Sequence, residues 1–433
     1  MKAVPGEPFT SADVQARVAA AFDAEPARIR RHRALVTAEG VIEGRQVAVA
    51  ATDPAQLRGA IGIVEAGALA QSFAQARAAG MPMVLMLDSS GARVDEDLPA
   101  LGAFRELFRE ALGARLENVR MFALLGSACF GGASLLACLC SRRSYLTDTL
   151  LAASGPRLIE SSQGADRFDA RDTRSVRELL GSAARRAWHP QDRERTDTLA
   201  AARVVLREWI QDADPGLDLE QTQARLGQRL ASAVQSSPDA ANARGAGPSS
   251  LAALLPPGYT AQFSGRLAYA LPVTAGKPVF AGALGGSPLD AADSIRLSAK
   301  LLDLRVSHPG SPVILLLDAS AHAATIRDEQ LLLSDYLVHL SLVIASLARA
   351  GHRVALWIVG RASGASYVAF AAAVESVSAA VDAQIEILPA GARASIIGTR
   401  ANAKVNAHGW LSARVADAVL EQRLRLQSDQ SSG

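Results

Sequence analysis

Long apolar runs are missing from this 433-residue chain. No stretch approaches the roughly 18 apolar residues that a membrane helix needs, so no membrane span is expected. The first nine residues include Pro5 and Glu7 and lack an apolar signal core, which leaves a cytoplasmic protein as the expectation. Cysteine is scarce: Cys129, Cys138 and Cys140 stand close together, and no second cluster completes a zinc site. They read as small buried hydrophobes in a reducing compartment. Lysine is nearly absent, represented by Lys2, Lys277, Lys300 and Lys404, and arginine carries the positive charge. The net charge is only +2, which excludes a nucleic-acid binder of the general basic kind. Also missing are a GxGxxG turn, a P-loop GK[ST], an HExxH metal pair and a GxSxG nucleophile elbow. The seven histidines are scattered without metal spacing, so no metal is expected.

What is present is an ordinary folded composition, 49% apolar and 20% charged, at a length that suits two domains. Laid against itself, the chain shows a repeat. Met83-Val84-Leu85-Met86-Leu87 ends in Asp88-Ser89-Ser90-Gly91, and Met121-Phe122-Ala123-Leu124-Leu125 leads to Gly131-Gly132-Ala133-Ser134. Later, Val313-Ile314-Leu315-Leu316-Leu317 ends in Asp318-Ala319-Ser320, and the run from Val354 to Val359 leads to Gly364-Ala365-Ser366. Asp88 to Gly132 is 44 positions and Asp318 to Gly364 is 46. A helical pattern separates each pair of runs, with Leu101, Phe104, Leu107, Phe108 and Leu112 in one and Leu331, Leu332, Leu337, Leu340, Leu342 and Leu347 in the other. Short apolar runs alternating with such helices imply α/β units with right-handed crossovers. Between the halves, residues 232–259 are dense in Gly, Ser and Pro and read as a linker, giving domains 1–231 and 260–433.

Each half therefore offers a glycine turn between a strand and a helix. Glycine lets a backbone approach a ligand closely, and a helix start adds N–H donors and the positive end of its dipole. Such fixed donors suit an enolate or tetrahedral oxygen. A tight structural turn is the bland alternative for Gly131-Gly132. The turn Ser89-Ser90-Gly91-Ala92 after the neighbouring strand is the natural source of a second N–H. On this reading Gly132→Val would abolish the chemistry without unfolding the chain. His322, two residues beyond Ser320, either reaches the second turn as a proton donor or is a solvated loop residue. Arg171, Arg174, Arg177, Arg185 and Arg186 gather in one segment. They either hold the phosphates of a CoA-type group or form a solvated basic face.

These motifs carry a resemblance. Asp88-Ser89-Ser90-Gly91-Ala92-Arg93, Cys129-Phe130-Gly131-Gly132, and Gly155-Pro156-Arg157-Leu158-Ile159-Glu160 with Phe168-Asp169-Ala170-Arg171-Asp172 resemble the beta subunit of biotin-independent malonate decarboxylase. Leu317-Asp318, Gly360-Arg361-Ala362-Ser363-Gly364-Ala365 and Pro389-Ala390-Gly391-Ala392-Arg393-Ala394 resemble its gamma subunit, so the order is that of a beta–gamma fusion. Where the gamma pattern has a Lys-Ala-Met type of turn, this chain has Gly360-Arg361-Ala362-Ser363-Gly364.

The resemblance implies two crotonase-like carboxyltransferase domains in tandem, each a superhelix of ββα units. It implies decarboxylation of a malonyl thioester carried on the phosphopantetheine-type arm of an acyl carrier protein, or on CoA, with no tightly bound cofactor. In that reading Gly131 and Gly132 donate to the enolate oxygen, and Ser90 and Gly91 supply the facing wall. Cys129, Phe130 and Arg93 line the substrate pocket. Gly360, Ser363 and Gly364, with His322, form the second pocket, and Arg171, Arg174 and Arg177 hold the carrier or its phosphates. A homodimer is expected. A biotin-dependent carboxyltransferase and a non-catalytic scaffold for an acyl carrier protein are the competing readings.

Overall fold

The computed structural model describes residues 7–420 apart from 27, 147, 236–254, 256, 275 and 398–406. Most of the expected linker thus lies outside the described residues. By its contacts the chain divides into two compact units. The first holds Met1–Asp218 with Ala324–Val338 and Ala390–Arg400; the second holds Leu219–Ala323, His339–Pro389 and Ala401–Gly433. The helix Leu219–Gln235 groups with the second unit, where Gln223 donates to the Ile295 carbonyl at 2.9 Å and meets His339 at 2.7 Å.

The sheet of the first unit contains β1 (Arg28–His32), β2 (Leu35–Ile42), β3 (Arg45–Thr52), β4 (Met83–Ser89), β5 (Met121–Phe130), β6 (Arg142–Leu146), β7 (Leu150–Ala152) and β8 (Arg193–Arg195). Its order is β1-β2-β3-β4-β5-β6-β8, with β7 on the far end of β5. The first two pairings are antiparallel and the rest parallel. All seven residues of β4 are buried, as expected of a parallel strand covered on both faces. The helices Ile63–Ala79 and Asp97–Leu116 make the crossovers. The first begins at Gly62, whose N–H donates to the buried Glu65 carboxylate at 3.0 Å, and ends at Gly80 with φ 61°.

The second unit repeats this plan strand for strand. Its members are β9 (Tyr259–Ser264), β10 (Leu267–Pro272), β11 (Val279–Gly286), β12 (Val313–Ala319), β13 (Val354–Ser363), β14 (Ser376–Ala380), β15 (Gln384–Glu386) and β16 (Ala418–Leu420). The order is β16-β14-β13-β12-β11-β10-β9, with β15 on β13, and the antiparallel and parallel pairings recur in the same places. One irregularity matches as well, although the shift of β11 against β12 between Ala283 and Gly286 has no counterpart between β3 and β4. The register between β4 and β5 shifts between Leu87 and Ser89, and that between β12 and β13 shifts between Leu317 and Ala319. The isolated bridge Ile61–Ala92 has its counterpart in Leu289–His322.

This register corrects the alignment made from sequence by one residue. Phe130 pairs with Ala152 and Ser363 with Glu386, so Phe130 corresponds to Ser363 and Gly131 to Gly364. The backbone agrees, with φ 56° at Gly131 and 52° at Gly364. The shift is confined to the turn, because Ser134 bonds back to the Gly131 carbonyl as Ser366 does to that of Ser363, and the second turn has a single glycine.

The halves differ before their long helix. In the first, the helix Asp97–Leu116 follows the turn after β4 closely. In the second, the extra helix Ile326–Gln330 intervenes, and Leu332, at φ 55°, breaks the apolar pattern before the helix Leu333–Arg349. That break lets residues 324–338 join the first unit.

Candidate active site

In the first unit the parallel strands β4 and β5 deliver two glycine turns to the same end of the sheet. Gly131 ends β5 at φ 56° and ψ −130°, a conformation reserved for glycine, and caps the helix Gly132–Leu139. Gly91 follows β4 at φ 101°. A Cβ on Gly131 would lie 3.6 Å from the Gly91 Cα, and one on Gly91 would lie 3.0 Å from the Phe130 carbonyl oxygen. The two backbones thus pass each other with no side chain between them.

The donors at this place are unequal. The Gly131 carbonyl accepts from the Ser134 N–H at 3.0 Å and the Ser134 hydroxyl at 2.6 Å. The N–H groups of Gly132 and Ala133, in the first helical turn, have no acceptor within the helix. On the facing side, the Ser90 N–H donates to the Arg58 carbonyl at 3.0 Å and the Gly91 N–H to the Ser89 hydroxyl at 3.1 Å. Those two donors are spent on the fold, which removes Ser90 and Gly91 as donors from the turn expected to supply a facing N–H. The neighbouring Ala92 N–H has no partner among the described residues, because its bridge to Ile61 uses the Gly91 carbonyl and the Arg93 N–H.

Gly132 has a second reason to be glycine. A Cβ there would run into the ring of buried Phe104. A valine at this position is a packing fault before it is a chemical one, so Gly132→Val does not isolate the chemistry as the sequence suggested. Cys129 is fully buried on the strand, and burial pushes its thiol well above the usual range. Its side chain is therefore removed from any ligand. Phe130 is half-buried and backs onto the apolar cluster of Ile159, Phe168 and Leu180. Arg93 is held by Asp95 and, at 2.9 Å, by Glu96, so its charge is already matched.

The sequence did not reveal what supports these turns. Asp88 is buried at the end of β4 and accepts from the Ala128 N–H at 3.2 Å, fixing the bulge of β5. Burial pushes its carboxyl up, against the Ser127 and Ala128 N–H groups that favour ionisation. The backbone of Leu57, Arg58 and Gly59 runs left-handed at φ 52°, 54° and 64° beneath the turn, and a Cβ on Gly59 would overlap the Asp88 carbonyl. Only Gly59 gives any sign of this in the sequence.

The second unit uses the same scaffold with different contents. Asp318 accepts from the Arg361 N–H at 2.8 Å, as Asp88 does from Ala128. Gly360 lies in the β13 bulge, where a Cβ would strike the Asp318 side chain. It supports the bulge and is not part of the turn, which corrects its assignment to the pocket. The turn itself is Ser363-Gly364, with the Ser363 hydroxyl donating to the Ser320 carbonyl at 2.6 Å. Ala321 stands where the first half has Gly91. His322 stands where it has Ala92, and is buried rather than solvated. Its Nδ1 lies 3.6 Å from where a Cβ on Gly364 would be, so the structure brings His322 and this turn together.

The arginines do not form one patch. Arg174 is exposed and pairs with Glu178 at 2.8 Å, and Arg177 pairs with Asp148 at 3.3 Å. Arg171 is exposed nearby, and Arg186 pairs with Glu194. Arg185 points inward: it is fully buried and donates to the carbonyls of Leu151 and Glu329. The Glu329 carboxylate accepts from the Ser154 N–H at 2.6 Å, and burial pushes it up to about 7 despite Arg185 nearby. A separate cavity of about 520 Å³ opens beside Arg77, Gly80, Met81, Pro82 and Arg120. It lies at the starting ends of β4 and β5, opposite the glycine turns, and plays no part in the candidate site.

Two family models match the chain: the carboxyl transferase domain over residues 4–180 and the malonate decarboxylase gamma subunit over residues 286–410. The propionyl-CoA carboxylase carboxyltransferase subunit of Haloferax mediterranei is 31% identical over 133 residues, which cover 30% of this chain and 26% of that protein. The methylmalonyl-CoA carboxyltransferase 12S subunit of Propionibacterium freudenreichii is 29% identical over 133 residues, covering 30% of this chain and 25% of its own. The match spans about a quarter of the length of these curated relatives. A solved Pseudomonas malonate decarboxylase hetero-tetramer in complex with malonate has a chain that is 24% identical, covering 55% of this chain and 94% of that one, with a TM-score of 0.47. The two matched regions follow one another along the chain in the order of the beta–gamma resemblance. Its fold class is α/β, as expected, with two mostly parallel sheets of one strand order in tandem. It is thereby related to enzymes of carboxyl transfer and decarboxylation.

Proposed function

We propose that the chain decarboxylates a malonyl thioester without biotin, using the Gly131 turn of the first unit as its oxyanion hole. The observation that carries this reading is the bare approach of Gly91 to Gly131 beneath a helix start whose first N–H groups are unspent. When the bond between the malonyl Cα and its carboxylate breaks, the electron pair moves into the thioester carbonyl and CO2 departs. The resulting enolate oxygen accepts from Gly132 and Ala133, whose hydrogen bonds strengthen as its charge develops. Protonation of Cα then gives the acetyl thioester. The Ala92 N–H is the nearest unspent donor on the facing turn.

The acyl group is carried on the phosphopantetheine-type arm of an acyl carrier protein or on CoA, and the exposed Arg171, Arg174 and Arg177 meet its phosphate or an acidic carrier surface. The protein acts as a homodimer. Incubation of the purified chain with malonyl-carrier protein and with malonyl-CoA, followed by mass spectrometry, tests the reading directly. Loss of CO2 from either substrate supports it; intact substrate in both overturns it. The curated relatives, which are carboxylase and carboxyltransferase subunits, favour a second reading as a biotin-dependent carboxyltransferase component. Avidin separates the two, because it blocks a biotin-dependent reaction and leaves the proposed one unchanged.

A further inference from the structure

The oxyanion turn is held from behind by residues that the second half of the chain supplies to the first unit. Ser334 opens the helix Leu333–Arg349, within the segment Ala324–Val338 that belongs to that unit. Its hydroxyl lies 2.7 Å from the Ser134 hydroxyl, and both serines are fully buried. Ser134 donates its one hydroxyl proton to the Gly131 carbonyl, so Ser334 must be the donor to Ser134. The result is a relay from Ser334 through Ser134 to Gly131.

The relay ends on the peptide that matters. In a planar trans peptide the carbonyl and the following N–H point in opposite directions. Fixing the Gly131 carbonyl inward therefore fixes the Gly132 N–H outward. Glycine at 131 eases reorientation of this peptide, whose carbonyl is otherwise held only by the Ser134 N–H at 3.0 Å and the Leu135 N–H at 3.4 Å. Donation from Ser334 also polarises the Ser134 hydroxyl and strengthens its bond to Gly131. A second contact from the same segment secures the neighbouring wall: Glu329 accepts from the Ser154 N–H, and a Cβ on the next residue, Gly155, would rest 3.7 Å from the Phe130 ring.

We propose that Ser334 is a positioning residue for the first pocket: through Ser134 it sets the orientation of the Gly131–Gly132 peptide, and so the direction in which the Gly132 N–H points. This rests on the decarboxylase reading for its kinetic consequence, but the relay itself is read without activity.

The test is a pair of cycles on the full chain with Ser134→Ala, Ser334→Ala and the double variant. In the kinetic cycle, Ser134→Ala lowers kcat on the order of tenfold and Ser334→Ala somewhat less, with KM for the malonyl thioester unchanged. The double variant is no worse than Ser134→Ala alone, because both act through one bond. Ser334→Thr, which keeps the hydroxyl, recovers most of the loss. Additive losses, or a rise in KM with kcat intact, would overturn the proposal. In the denaturant cycle the two substitutions are likewise non-additive in midpoint. If no malonyl thioester turns over, the proposed function falls, and this second cycle still decides the relay, since independent effects there would overturn it.

Discussion

A methyl group at Gly91 is the smallest change that intrudes between the two turns. Its carbon would sit 3.0 Å from the Phe130 carbonyl, tighter than most such contacts, and at φ 101° the backbone would be strained as well. Gly91→Ala is expected to cost between one hundred- and one thousandfold in kcat, roughly the loss of one oxyanion donor, with a modest drop in Tm. A steady-state assay beside a thermal melt checks this. Gly132→Val belongs to a different mechanism. The added side chain meets Phe104, and overpacking of this kind costs about 1–3 kcal/mol. Trimming the ring with Phe104→Leu should restore part of the lost stability in the Gly132→Val background, measured by denaturant unfolding. Glu329 gives a prediction in pH. Its carboxyl, ordinarily near 4.5, is raised to about 7 by burial, so the folded state holds its proton more tightly than the unfolded chain. The stability this contributes is fully present below about 4.5 and is lost as pH rises through about 7. The expected decline is on the order of 3 kcal/mol. It should be absent from the pH profile of Tm for Glu329→Gln.

Among the elements, the segment 324–338 does most to distinguish the two halves. Besides Ser334 it carries Asp335, which meets Arg143 at 3.2 Å and His189 at 2.5 Å, all three side chains being buried. Burial works against the Arg143 charge, but Asp192 at 2.9 Å, with Tyr145 and Asp335, outweighs it and keeps the guanidinium protonated. Asp335→Ala would leave that buried cation with one carboxylate where it had two, and a loss of about 3–5 kcal/mol is expected, read from chemical denaturation. None of this was legible in the sequence. The apolar spacing of Leu331, Leu332, Leu337 and Leu340 suggested one helix matching that of the first half, and nothing in it marks Leu332 as left-handed. The strands were legible, because β4, β5, β12 and β13 are apolar runs bounded by Asp and Gly. The turns were legible too, since Gly91, Gly131 and Gly364 all need the freedom of glycine. What composition hid was direction: whether Gly360 served the turn or the bulge, whether Arg185 faced water or the core, and whether the Ser90 and Gly91 donors were already engaged. Each depends on a partner distant in the chain.

At the scale of the whole molecule, one sheet plan occurs twice with its contents changed. The first turn keeps two facing glycines; the second replaces one with Ala321 and adds His322. The frame is shared, while the residues at the second turn differ from those at the first. If Arg171 and its neighbours receive a phosphate-bearing carrier, Arg171→Glu should raise KM for the carrier-bound substrate several-fold while kcat holds, and added salt should shrink the difference. The shared frame also bears on how such a chain can be divided. A cut between 236 and 254 severs the two repeats in sequence, yet it strips the first unit of Ser334, Asp335, Glu329 and the Arg393 that pairs with Asp97. A fragment ending there would keep Asp192 beside Arg143 and the Leu151 carbonyl beside Arg185, but would lose Asp335 from the first and Glu329 from the second. Two genes made from this one would therefore yield a first product whose interior is completed only when the second is present.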